Sequence, residues 1–367
     1  MEPSASSASS ALKQLQLVAV AVAVAVAVAV AVSARVAGQV EISVRKLRSM
    51  RRILLAVTLL AVGGLLSLEA YRSRGVVVAE VSDGDVHRFV DAMRRLSAGD
   101  SSCAALGDYF RDASRGLRAY DSKLGMNRRQ LCSAIRRSPA RYSAIEAKLG
   151  GLDSAVARVD SIFARFHALY PEGRQPGVYF VVGAGMAAGT TTHTSDPVVL
   201  IGVERAGDPS RLSSTVAHEF VHTQQDYPWI GIFTGGPSFL RGTLLRQSIM
   251  EGSANLIAEL VTGAPNHNEY AEAHEAELWA DFSREMHGKD YSRWLWNGGS
   301  PQRGDRPADL GYWIGYRITK SYYDRAADKA RAIHDILTIR DFDRFLTASG
   351  YAPPASAATP PHAPGAR

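Results

Sequence analysis

Cysteine is nearly absent: two residues in a chain of 367. That is too few for a cysteine-built zinc cluster, so any metal here must be held by His and carboxylates. The chain also lacks a surplus of either charge once its leader is set apart. Nine of the 42 Lys+Arg but only three of the 36 Asp+Glu lie in residues 1–74, which leaves 33 of each in the remaining 293. The globular part therefore has no global field to attract nucleic acid, and nucleic-acid binding is set aside. A phosphate-binding loop is missing too. Gly183-Ala-Gly185 has no following Lys and does not run into a helix. At 46% hydrophobic and 21% charged residues, the composition excludes a wholly disordered or collagen-like chain.

The leader holds the long apolar runs. Val18 to Val32 alternates Val and Ala strictly, and with Leu17 it makes a run of sixteen, slightly short for a membrane span. Residues 1–49 read as low-complexity sequence upstream of the working start, with a transmembrane anchor as the competing reading. From Met50, Arg51 and Arg52 precede an apolar stretch from Ile53 to Leu68. Residues 50–74 have the layout of a secretory signal peptide or an uncleaved signal anchor. No Cys follows that stretch, which excludes lipid attachment there. The expectation is an exported protein, periplasmic or extracellular, that touches a membrane only through this segment. In an oxidising compartment Cys103 and Cys132 can pair, closing a loop of about 30 residues worth roughly 3 kcal/mol; the alternative is two buried thiols.

The expected organisation is one domain over 75–351 and a disordered Pro/Ala-rich tail over 352–367. Residues 83–170 repeat apolar side chains at three and four, as in Val86, Phe89, Val90 and Met93, and read as helical. Breaks are expected at Ser138-Pro139 and at Gly150-Gly151. Residues 178–182 and 197–203 read as strands, and the Gly/Thr/Ser-rich loop between them suggests a hairpin. Helices follow at about 210–226, 243–262, 268–287, 309–325 and 328–338. The fold class is α+β, mostly helical, with a small sheet or hairpin beside the helices.

Residues 215–225 carry the chemistry. His218 and His222 lie four apart on a predicted helix, so both imidazoles leave one face and can share a cation. Glu219 lies about 100° around that helix, where it reaches a water rather than the metal. Ser210 or Ser213 could cap the helix start. A catalytic zinc needs three protein ligands and an open position. Glu251 is the best third ligand, with Glu259 as the alternative. Asn255, one turn after Glu251, could accept the second N–H of a ligand His. Gly252, Ser253 and Ala254 are small enough for this helix to approach the first closely. Tyr312 and Tyr316 are candidate oxyanion donors, although a core role is the more ordinary one for each.

These residues resemble a family of predicted zinc-dependent proteases of unknown function, related to the gluzincins. The resemblance runs from about 83 to 351. It rests on Tyr179-Phe-Val-Val-Gly183, Gly189-Thr-Thr191, Leu200-Ile-Gly-Val-Glu204, the stretch 217–225, Glu251-Gly-Ser-Ala-Asn255, Trp294-Leu-Trp-Asn297, the stretch 306–316 and Ser349-Gly-Tyr351. It implies a zincin-like fold, one Zn²⁺ per chain held by His218, His222 and Glu251, and Glu219 as general base. It also implies an edge strand over the cleft that pairs with a peptide or protein substrate, expected at 178–182 or 197–203. Gluzincins usually carry Asp one turn after the Glu ligand, where this chain has Asn255. The leading expectation is an exported zinc metallopeptidase. The alternatives are a metal-holding, non-catalytic envelope protein that binds a peptide or partner in the same cleft, and a zinc hydrolase acting on a non-peptide bond.

Overall fold

The computed structural model describes residues 80–97, 103–192, 194, 196–206, 211–227, 242–298 and 306–353. The Val-Ala run, the 50–74 segment and the tail from 354 onward lie outside the described residues.

Strand β1 (Val81–Ser82) leads into six helices: α1 (Gly84–Ser97), α2 (Leu106–Arg111), α3 (Arg115–Leu124), α4 (Arg128–Arg137), α5 (Pro139–Ala147) and α6 (Leu149–Leu169). Pro139 opens α5, where its missing N–H costs nothing. The expected break at Gly150-Gly151 falls earlier, at Lys148, and both glycines lie in the first turn of α6. Cys103 and Cys132 form a disulfide. It ties the segment before α2 to α4.

The sheet comprises β1, β2 (Gly177–Val181), β3 (Gly189–Thr191) and β4 (Val198–Gly202), in the order β1-β2-β4-β3. The expected hairpin of the two apolar strands does not form. β2 and β4 are parallel neighbours, and the chain between them lays β3 antiparallel on the far side of β4. The physical reason is burial on both faces. Val178 to Val182 and Val198 to Ile201 are all essentially inaccessible, as in parallel strands covered on two sides. α1 and α3 pack on β2, and α7 (Leu212–His222) packs on β3 and β4. Because β2 and β4 are paired on both sides, neither can be the edge over the cleft. That edge is β3.

Helices α8 (Leu244–Thr262), α9 (Glu269–Ala273), α10 (Glu275–Glu285), α11 (Leu310–Arg325), α12 (Lys329–Leu337) and α13 (Phe342–Ser349) follow among the described residues. The expected 268–287 helix is two, divided at His274, whose Nδ1 lies 2.8 Å from the Tyr270 carbonyl oxygen. α7 begins without a side-chain cap; Ser213 lies inside it, and Ser210 is outside the described residues.

Among the described residues, α8 and α11 make the closest helix contact. A Cβ on Gly315 would stand 1.6 Å from the Ser248 carbonyl oxygen, and one on Gly252 would stand 2.0 Å from the backbone of Gly315 and Tyr316. Gly252 thus serves the approach to α11, not the approach to α7. Backbone cannot yield as a side-chain tip can. Gly315→Ala should therefore destabilise the chain by about 3 kcal/mol or more, read as a fall in the denaturation midpoint. An unchanged midpoint would show that the helices separate freely.

Candidate metal centre

Helix α7 presents His218 and His222 one turn apart, and α8 brings Glu251 opposite them. The two Nε2 atoms are 3.0 Å apart, and each is 3.2 Å from Glu251 Oε2. These three groups lie close enough to share one ion. Ligand atoms around a tetrahedral zinc, with bonds of about 2.0–2.1 Å, stand roughly 3.3 Å from one another. The observed triangle matches that spacing.

The outer nitrogens are fixed as a metal site requires. His218 Nδ1 is 2.8 Å from Asn255 Oδ1, and His222 Nδ1 is 2.8 Å from Gln225 Oε1. An amide oxygen only accepts, so the proton in each pair sits on Nδ1 and the Nε2 lone pair turns inward. Two inward lone pairs and a carboxylate oxygen repel one another unless a cation lies between them. The electrostatics agree. Burial alone would push the Glu251 carboxyl up, but the two imidazoles hold it well below the usual carboxylate range. Burial opposes charge on His222, yet Glu251 raises its pKa to about 9.

Glu219 stands apart from the three. It is buried, and burial raises its carboxyl above the ordinary range against the pull of both imidazoles. Its side chain runs under β3, where a Cβ on Gly189 would meet Glu219 Cγ and Oε1 at 2.5 Å. Glycine at 189 is what allows the edge strand to cross the carboxylate. Lys123 braces that strand from α3. Its Nζ donates to Thr190 Oγ1 at 2.6 Å and to the Thr191 carbonyl oxygen. Burial lowers its pKa, while the Glu219 charge acts in the other direction.

This geometry agrees with a sequence-level finding. Residues 181–337 match a family model described as "Predicted Zn-dependent protease (DUF2268)". No curated protein and no solved structure matches the chain. The stretch matched to the zinc-protease family runs from the end of β2 through α12 and contains His218, Glu219, His222 and Glu251. Lys123 and the disulfide lie outside it.

Within the same stretch the structure separates the remaining candidates. Glu259 is not grouped with the imidazoles. Its Oε2 accepts from the Tyr316 hydroxyl at 2.8 Å and from the Asn266 backbone N–H at 3.1 Å. Tyr316 is thereby committed to Glu259. Tyr312 is at the site: its ring stacks on His218 with centroids 6.1 Å apart, and it lines the cleft. Burial, reinforced by the Glu251 charge, pushes its hydroxyl well above 10, so it stays a donor.

The cleft over these residues has a volume of about 1080 Å³. Gln247, Glu251, Asn255 and Glu259 repeat every four residues along α8 and all line it. Sequence reading missed Gln225, which also donates from Nε2 to the Met250 carbonyl oxygen at 2.8 Å and to Ser253 Oγ at 2.9 Å. Its signal was its place three residues after His222. Lys123 gave no signal, because it comes from a distant helix. Gln225→Ala should weaken zinc binding about 10–100-fold, measured by competition with a chromogenic chelator. Unchanged affinity would remove its orienting role.

Proposed function

We propose that the chain is an exported zinc-dependent metallopeptidase. One observation carries this reading: two inward-facing imidazole nitrogens and a carboxylate oxygen converge beside the buried Glu219 carboxylate, at the floor of an open cleft. His218, His222 and Glu251 would hold the ion. When bound there, a zinc would supply Lewis-acid chemistry, activating water near neutral pH and polarising a substrate carbonyl.

The chain's own groups do the rest. Glu219, with its raised pKa, takes the proton of the attacking water and delivers it to the leaving amine. Tyr312, whose ring stacks on His218 in the cleft, would donate its hydroxyl proton as a hydrogen bond to the oxygen on which charge develops. Asn255 and Gln225 hold the two imidazoles in register. β3, as an edge strand beside Glu219, offers backbone groups to an extended peptide. Lys123 holds that strand in place.

Peptide hydrolysis by the purified chain, before and after removal of its metal, tests this. The expected result is one zinc per chain, loss of cleavage on chelation and its return with zinc. Stoichiometric zinc without cleavage of a broad peptide library would favour a non-catalytic binding role for the same cleft. Export is supported by the layout of residues 50–74 and by the Cys103–Cys132 disulfide, which suits an oxidising compartment. N-terminal sequencing of the chain from its native source checks this; a mature chain that begins at Met1 contradicts it.

A further inference from the structure

Among the described residues, two large apolar side chains are exposed: Met186 at 39% and Trp296 at 52%. Both line the cleft over the candidate metal centre. Trp296 is the more telling of the two. Its φ is 54°, a left-handed conformation that a bulky residue adopts only when its surroundings impose it. Here they do. The Asn297 backbone N–H donates to Asp309 Oδ1 at 2.8 Å, and the Asp309 backbone N–H donates to Asn297 Oδ1 at 2.7 Å. Asn297 is buried and also donates from Nδ2 to the Ser292 carbonyl oxygen at 3.0 Å. Asp309 is itself left-handed, at φ 61°. A reciprocal clamp thus joins Asn297, the residue after Trp296, to the left-handed Asp309.

The outcome of that strain is an indole held in solvent. The neighbouring Trp294 shows the contrast: it is fully buried, with its indole N–H donating to Glu285. Trp296 instead stands edge-on to the Tyr291 ring, with centroids 5.5 Å apart. Trp296 and Tyr312 line the same cleft, and Tyr312 stacks on His218. The indole therefore shares one cleft with Tyr312 and with the candidate ligands His218, His222 and Glu251, where a bound peptide would meet it.

We infer that Trp296 is a specificity platform, and that the cleft selects peptides carrying an aromatic or large aliphatic side chain near the scissile bond. This rests on the peptidase reading for the peptide, not for the platform. An aromatic ring offers area and a preferred stacking geometry to such a side chain at little conformational cost. Met186, flexible and polarisable, adds a second apolar surface that adapts to shape.

The test uses the zinc-loaded full chain with Glu219→Gln, so that binding is read without cleavage. The probes are Ala/Ser heptapeptides that carry one Phe, placed at each position in turn, and titrated by calorimetry. At one position Phe should tighten binding about tenfold over the parent peptide. Adding Trp296→Ala should abolish that advantage, and Trp296→Phe should keep most of it. Zinc content should remain at one equivalent in both, which reports an intact fold and centre. An advantage that survives Trp296→Ala, or none at any position, overturns the platform. Should the Trp296-dependent advantage hold while the unmodified chain cleaves none of these peptides, the platform stands and the peptidase reading fails.

Discussion

Glu219→Gln should retain a full equivalent of zinc and lose about 10²–10⁴-fold in kcat on any peptide the unmodified chain cleaves. The reasoning is geometric before it is chemical. Glu219 is not one of the three groups that could share an ion, so neutralising it removes no ligand. Glutamine preserves the shape of a side chain packed beneath Gly189, so β3 has no reason to move. What disappears is the ability to accept and return a proton. Burial already raises the Glu219 carboxyl, and a base with a raised pKa is more effective near neutral pH than an exposed carboxylate. The effect should appear in kcat far more than in KM, because the amide can still accept or donate hydrogen bonds to a bound peptide. Near-normal turnover in Glu219→Gln would remove the general-base role while leaving the metal centre untouched.

The second large effect separates two carboxylates on one helix. Glu251→Ala should abolish stoichiometric zinc binding, whereas Glu259→Ala should leave one equivalent in place. The two residues are eight apart on α8 and face the same cleft, so sequence alone leaves both open as ligands. Their partners differ. Glu251 Oε2 sits 3.2 Å from both imidazoles, while Glu259 is engaged by Tyr316 and the Asn266 backbone. Removing Glu251 leaves two neutral ligands and takes away the negative charge that favours a dication. Removing Glu259 strands a buried tyrosine hydroxyl, a cost of about 1–3 kcal/mol in stability and not in metal. Zinc content measured on both purified variants reads the difference. Zinc lost from Glu259→Ala and kept by Glu251→Ala would reverse the assignment.

The convergence of side chains at the candidate centre could in large part be read from spacing, because a helix converts a four-residue interval into a shared face. His218 and His222 needed nothing more, and Asn255 followed from Glu251 by the same rule. Gln225 was equally close in sequence, but it stands just past the end of α7, where helical spacing no longer says which way a side chain turns. The sheet was harder. Val178 to Val182 carries no alternation, and an unbroken apolar run signals burial on both faces. That favours parallel neighbours over a hairpin, and the run itself held the clue. The short β3 had no such run, yet it became the edge beside Glu219. Its role depends on Lys123 and β4, which are distant in sequence. The missed helix α13 was marked at both ends: Asp341 caps its start and Gly350, at φ 58°, ends it. Trp296 shows the limit of pattern reading. Trp294 and Trp296 are two apart in one motif, yet Trp294 is buried against Phe282 and Glu285 while Trp296, beside the Asn297–Asp309 clamp, stands exposed in the cleft.

Diffraction data collected at the zinc absorption edge, from crystals grown with excess zinc, test the central claim most directly. The account predicts one anomalous peak within about 2.0–2.2 Å of His218 Nε2, His222 Nε2 and Glu251 Oε2. Well-ordered side chains at all three positions with no peak between them would contradict it.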